Sequence, residues 1–176
     1  MSRYVVDTNV PIVANGRQNP NDDGVPSIGC RIAAVEFLSM ALQSSKILVD
    51  LAGEIQTEYR KHLNPSGQPG VGDRFYQAVL HSAPQRIERV DLPKREDGEF
   101  VDLPQPLVEV SFDRSDRKFA ALANREAVPV VNATDSDWLH HREILEANGV
   151  QIKFLCGCDN SGWFEGNQRI PNIERR

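Results

Sequence analysis

The sequence predicts an α/β fold, a three-layer α/β/α sandwich with a mainly parallel central sheet, and three observations lead there. Short β-branched runs alternate with stretches of helical period along most of the chain. Alternation of that kind implies right-handed crossovers and a sheet covered on both faces. Two of the apolar runs end on a carboxylate, at Asp7 and Asp50, as buried parallel strands do where they leave the sheet. At 176 residues, with 40% hydrophobic and 26% charged side chains, the chain is long enough for one domain with helices on both sides of a sheet.

The elements follow in order. Arg3 to Asp7 is the first strand. Gln18 to Gly29 is dense in Asn, Asp, Gly and Pro and reads as a loop. Cys30 to Leu42 carries apolar residues at Ile32, Ala33, Val35, Phe37, Leu38 and Leu42, the spacing of a helix. Lys46 to Asp50 is a second strand, followed by a helix from Ala52 to His62 that closes at Asn64-Pro65. Val71 to Ser82 has a helical pattern. Arg86 to Gln105, rich in charge and proline, reads as a strand fragment plus an irregular connection. Asp113 to Arg125 is a helix, Val128 to Asn132 a strand, Asp135 to Asn148 a helix that stops at Gly149, and Val150 to Leu155 the last clear strand. The expected domain is residues 1–157, with 158–176 an unassigned tail.

Composition excludes several classes. There is no run of about 18 apolar residues, and the N-terminus has no apolar signal core, so a membrane or exported protein is not expected. Three cysteines, Cys30, Cys156 and Cys158, form no disulfide framework, which favours a reducing cytoplasm. The formal charge of -5 does not advertise nucleic-acid binding. A metal-dependent nuclease, however, concentrates carboxylates at one point and needs only a few cations at its rim.

Acidic residues stand at or just beyond the carboxyl ends of the strands: Asp7, Glu54 and Glu58, Asp113 and Asp116, Asp135 and Asp137. A parallel sheet brings those ends to one edge, where ligands bind in such folds. Carboxylates gathered there repel one another unless a cation joins them. Mg²⁺ and Mn²⁺ take hard oxygen ligands of this kind and suit phosphodiester hydrolysis, in which a bound ion activates water and holds the phosphate.

Four segments carry a resemblance to the PIN-domain family: Val5-Val6-Asp7-Thr8-Asn9, Glu58-Tyr59-Arg60, Asp116 to Ala123, and Ala133-Thr134-Asp135-Ser136-Asp137-Trp138-Leu139. The resemblance spans about residues 3 to 155. It implies a PIN-like nuclease domain and a metal-dependent ribonuclease using Mg²⁺ or Mn²⁺, similar to the toxins of toxin-antitoxin pairs. Asp7, Asp116 and Asp135 would be metal ligands and Asp137 an additional one. Thr8 and Asn9 would support Asp7, and Thr134 would hold its loop. Glu58 would supply the second acidic position, with Glu54, on the same helix face, as the alternate. Partners implied are RNA, an antitoxin protein and a second copy of the chain. Single-stranded RNA would bend most readily to a recessed metal.

Plainer readings stand beside these. Asp113 with Asp116, and Thr134 with Asp137, fit a helix N-cap with an acid three residues on. Glu58 can pair with Lys61 or His62. Cys156 and Cys158 near His140 and His141 invite a zinc reading that lacks a second cysteine pair. Arg60, Lys61, Arg74, Arg114, Arg117 and Lys118 are either RNA contacts or solvated surface. Asp7 at the end of a first strand also suits an aspartate-nucleophile phosphatase, although Asn9 stands where that chemistry places an acid. A non-catalytic scaffold of the same fold is the remaining alternative.

Overall fold

The computed structural model describes residues 1–18, 24–81 and 84–166. Five strands form one parallel sheet: β1 (Ser2–Val6), β2 (Ser45–Asp50), β3 (Ile87–Val90), β4 (Val130–Asn132) and β5 (Ile152–Phe154), in the order β3-β2-β1-β4-β5. The sheet is parallel throughout and flanked by helices. Its chain order runs outward from β1 through β2 to β3 and then returns to the other side of β1, so the direction of winding reverses between β1 and β4. Right-handed crossovers then place the early and late helices on opposite faces. On one face lie α1 (Asn9–Ala14), α2 (Ile28–Ser44) and α4 (Val71–His81), which pack on one another, with α3 (Glu54–His62) against α4. The other helices are α5 (Gln105–Glu109), α6 (Arg117–Glu126), α7 (Ser136–His140) and α8 (Arg142–Ala147); α6 packs on β1, β2 and β4, and α5 on α8.

Strand composition explains the sheet. Val5, Val6, Ile47, Leu48, Val49, Val130 and Val131 are all inaccessible to solvent, as expected where helices cover both faces. The four clear strands lie where the sequence places them, and the strand fragment begins the connection after residue 86. The helix expected from Cys30 starts earlier, at Ile28, because the Ser27 side chain accepts a hydrogen bond from Cys30 N at 3.2 Å and caps the first turn. The helix expected from Asp113 starts only at Arg117, because the Asp113 carboxylate accepts from Ser115 N (2.7 Å) and closes a turn instead of capping a helix. The single helix expected over Asp135 to Asn148 is two short ones meeting at His141, the first burying Trp138 and the second Leu145.

Two helices carry no sequence signal. In α1 every residue is buried, so no polar stripe reveals its period, and Pro11 lies in the first turn, where its missing N–H costs nothing. A short α5 with Pro106 in its first turn falls just past the irregular connection. The close approach of α1 to α4 depends on Gly72, where a Cβ would fall inside van der Waals contact of the Pro11 backbone carbonyl. Asp73, wholly buried, secures the same junction by accepting from Asn64 N (2.8 Å) and Asn15 Nδ2 (2.9 Å).

The cysteines correct an expectation. Cys30 and Cys156 form a disulfide, with Cα atoms 4.9 Å apart, and Cys158 is left free and exposed. The odd count requires one unpaired thiol and does not prevent the other two from meeting across 126 residues of sequence. With Cys156 so engaged, and with no Cys or His in the group of side chains that could share an ion among the described residues, the zinc reading has no ligand set there. Beyond the disulfide the chain docks on the start of α2: Ser27 N donates to Trp163 O (2.8 Å), Glu165 N to Val25 O (2.8 Å), and Trp163 is buried. The rest of the expected tail, 167–176, and part of the expected loop, 19–23, lie outside the described residues. Among the described residues no helix is long and apolar enough to cross a membrane.

Candidate metal centre

Asp7 follows β1 at the reversal point of the sheet and is 3% exposed. Its Oδ1 accepts from Asn9 N (2.9 Å) and Asn9 Nδ2 (2.7 Å), and its Oδ2 accepts from Trp138 Nε1 (2.6 Å). Asn9 ties this strand end to the next. Its Nδ2 also donates to Asn132 Oδ1 (2.8 Å), while its Oδ1 accepts from Ala133 N (2.7 Å) and Thr134 N (3.2 Å). Asn132, the last residue of β4, then holds Asp135 from both sides, accepting from Asp135 N (3.2 Å) and donating to Asp135 O (3.0 Å). The sheet register and two buried amide side chains thus bring Asp7 and Asp135 together.

Asp116 arrives from the opposite direction, in the turn that precedes α6, and is 7% exposed. Its backbone carbonyl starts the helix, but its carboxylate makes no cap; the contact to it is Ser115 Oγ at 3.4 Å. One carboxylate oxygen from each of Asp7, Asp116 and Asp135 lies within 4.8 Å of the others. Asp135 also caps α7, accepting from Asp137 N at 2.9 Å, so the cap is Asp135 and not Thr134.

Burial is the main influence on these groups, and mutual repulsion adds to it. Burial raises Asp7 to about 6 although its hydrogen bonds from Asn9 and Trp138 and the Lys118 charge pull it down. Burial and the Asp7 charge raise Asp135 to about 7. Asp116 is held well above the ordinary carboxylate range by burial and then by Asp7, Asp135, Asp113 and Asp137. No cation side chain pairs directly with any of the three among the described residues. Of the two residues expected to support Asp7 by hydrogen bonding, Asn9 does so and Thr8 does not: its buried hydroxyl has no hydrogen-bond partner. Three converging hard oxygen donors in excess of positive charge fit a divalent cation.

The other expected residues stand around this cluster. Glu58 pairs with Lys61 (2.8 Å) and Lys118 (3.3 Å), with His62 at 3.9 Å, and is not among the three converging carboxylates. Burial pushes its carboxyl up, but Lys61 and Lys118 bring it below its ordinary value. Glu54, half-exposed in the first turn of α3, pairs with Lys94 at 2.6 Å. Both line a cleft with Gly53, Thr57, Lys61 and Lys118. Asp50, which also ends a strand, spends both oxygens on the amides of Glu54 (2.8 Å) and Ile55 (2.7 Å), a purely structural role. Asp137 is engaged with Asp113 and His141.

Among the basic residues, Arg60, Lys61, Arg74 and Arg114 are exposed. Arg117 and Lys118 are buried, against the expectation of either solvated surface or an open RNA contact. Arg117 donates to Phe112 O (2.9 Å) and pairs with Glu99 (2.6 Å), and Lys118 donates to Ser115 O (2.5 Å). Both fasten the turn that carries Asp116.

Sequence reasoning assigned no role to Asn132 or Trp138. Asn132 is a polar residue ending an apolar run, and Trp138 stands three residues after Asp135, at helical spacing; either position was a usable signal. Trp138→Phe keeps the ring that packs against Phe112 at 5.1 Å but removes the donor to Asp7. Mn²⁺ affinity at pH 7 is then expected to fall about tenfold, measured by calorimetric titration. Unchanged affinity would mean that this bond does not orient the carboxylate.

No protein-family model matches the chain, and no curated protein does. Among solved structures, a chain of the VapBC2 complex of Rickettsia felis, bound to a DNA fragment from its promoter, is similar at a TM-score of 0.47 and 15% identity, over 86% of this chain and 98% of that chain. At that similarity the functional conclusion rests on the residues of this chain.

Proposed function

We propose that this protein is a metal-dependent ribonuclease of the PIN kind, with Mg²⁺ or Mn²⁺ held by Asp7, Asp116 and Asp135. The observation that carries the reading is the convergence of three carboxylates, two of them buried, at the point where the sheet reverses its winding. The ordered resemblance of the surrounding segments to PIN domains supplies the substrate class. A bound divalent ion would supply a water of lowered pKa and charge to offset that developing on phosphate.

The chain's own residues do the rest. Asn9 and Trp138 fix the orientation of the Asp7 carboxylate, Asn132 fixes the backbone of Asp135, and the buried pairs of Arg117 and Lys118 fix the approach of Asp116. Exposed Lys61 and Arg114 lie on the segments flanking the centre and would meet the backbone of single-stranded RNA. A regulatory antitoxin and a second copy of the chain belong to the same proposal, checked by co-purification and by mass in solution.

Two other readings are less well supported. An aspartate-nucleophile phosphatase needs an acid two residues after Asp7. Asn9 stands there with its amide bonded to Asp7, Asn132, Ala133 and Thr134, leaving no proton donor for a leaving group. A scaffold without catalysis would have no use for the burial of like charges. The test is cleavage of single-stranded RNA with and without Mn²⁺, by wild type and Asp7→Asn. Metal-dependent cleavage lost in the variant is expected. No cleavage of any RNA under Mn²⁺, or equal cleavage by both proteins, contradicts the proposal.

The raised carboxyls predict a pH dependence of definite sign. In the metal-free protein the folded state holds protons that the unfolded chain, with Asp near 3.9, has already released. The cluster therefore costs nothing below that value, and its contribution turns unfavourable as pH rises from about 4 to about 7. Mn²⁺ must displace those protons, so its affinity rises through pH 6 to 7, by up to about tenfold per pH unit for each proton displaced. Calorimetric titrations at pH 5.5, 6.5 and 7.5 check this; affinity flat across the series would contradict it.

A further inference from the structure

Asp137 stands beside the carboxylate cluster but outside the set whose oxygens converge within 4.8 Å, which is Asp7, Asp116 and Asp135. Its Oδ1 lies 3.0 Å from His141 Nδ1, and its Oδ2 accepts from Asp113 N at 3.1 Å. Those partners belong to the two segments whose relative placement sets the cluster. Asp113 opens the turn that ends at Asp116: its Oδ1 accepts from Ser115 N (2.7 Å), and Asp116 N donates back to its carbonyl (3.2 Å). On the other segment, Asp137 N donates to Asp135 Oδ1 at 2.9 Å, and His141 follows the last residue of α7. Phe112, fully buried, packs its ring against both Trp138 (5.1 Å) and His141 (5.5 Å), so the same two segments are also joined by an apolar wedge.

We propose that Asp137 is a positioning residue, which fastens the Asp113–Asp116 turn to the helix capped by Asp135 and so sets the spacing of the Asp116 and Asp135 carboxylates, and that it contributes no ligand atom. This role rests on the metal centre proposed above, and it replaces the additional-ligand role expected from sequence. The Asp137 charge adds to the repulsion felt by Asp116 and Asp135, so its place beside them is held by its ties to Asp113 and His141 and not by attraction to the cluster. His141 Nδ1 lies against both the Asp137 carboxylate (3.0 Å) and the Asp137 backbone carbonyl (3.1 Å), so the ring holds residue 137 at two points. An amide at position 137 keeps the tie between the segments, since its oxygen can still accept from Asp113 N; a methyl group cannot.

The test is calorimetric Mn²⁺ titration of the full chain as wild type, Asp135→Asn, Asp137→Asn and Asp137→Ala, with melting curves to confirm folding. Expected are an affinity within about 3-fold of wild type for Asp137→Asn, a loss of about 10-fold or more for Asp137→Ala, and about 100-fold for Asp135→Asn. Loss in Asp137→Asn equal to that in Asp135→Asn makes Asp137 a ligand and overturns the proposal. Wild-type affinity in Asp137→Ala overturns it as well, because nothing is then being positioned. Should Asp137→Ala fail to fold, the Asp137→Asn comparison decides alone. Wild type that binds no Mn²⁺ rejects the metal centre itself, a different failure from either of these.

Discussion

Asp116→Asn is expected to remove Mn²⁺-dependent RNA cleavage, by about 10³-fold or about 4 kcal/mol of barrier, while the metal-free protein melts at an equal or higher temperature. The opposite signs follow from one cause. Asp116 is buried beside Asp7 and Asp135 with a hydroxyl at 3.4 Å as its carboxylate's contact, so its charge is a liability to the fold and an asset to a cation. Asparagine keeps the shape and removes the liability. Each kcal/mol relieved raises Tm by about 2–4 °C in a chain of this size, and the gain grows from pH 5 to pH 8 as the neighbours ionise. Thermal melts in chelator at both pH values check the sign. A lower Tm in the variant at pH 8 would mean that Asp116 holds the fold together and is not poised for a metal.

The second large effect lies away from the centre. Gly72→Ala is expected to destabilise the protein by about 3 kcal/mol, because the added Cβ meets the backbone carbonyl of Pro11 and backbone cannot rotate away as a side chain can. With α1 pushed off α4, Asn9 moves too, since it is the first residue of α1 and carries four hydrogen bonds between strand ends. Stability and Mn²⁺ affinity should therefore fall together. Gly29→Ala is the control: it sits in the first turn of α2 with no atom within 4 Å of the added Cβ, and should leave Mn²⁺ affinity unchanged and stability equal or higher by up to about 1 kcal/mol. Denaturant unfolding of the two variants decides, and equal stability for both would contradict the packing account.

How much of this was legible in the sequence depends on how local the signal is. Strand ends at Asp7 and Asn132 were legible as short β-branched runs that stop at a polar residue, and the amphipathic helices because burial on one side and exposure on the other leaves a period in the residues. The first helix was not, because all of Asn9–Ala14 is buried and an apolar segment without a polar face has no period to read. The same limit separates the carboxylates. Asp7, Asp116 and Asp135 follow strands or precede helices at one sheet edge, and topology alone brings them together. Asp50 occupies an equivalent position and turned out to cap α3, since a strand-end aspartate followed by a glycine turn finds free amides before it finds a metal. Glu58 could not be placed from its helical face, because its partner Lys118 lies 60 residues away in sequence. The disulfide between Cys30 and Cys156 is nonlocal in the same sense.

The central claim is that Asp7, Asp116 and Asp135 share one divalent ion. A crystal soaked in Mn²⁺, with anomalous difference maps collected near the manganese edge, tests it without reference to any RNA. The account predicts one strong peak with an oxygen of each of the three carboxylates at about 2.1 Å and Asp137 outside the coordination sphere. A peak between Glu54 and Glu58, or none at the end of β1 at saturating Mn²⁺, would contradict it.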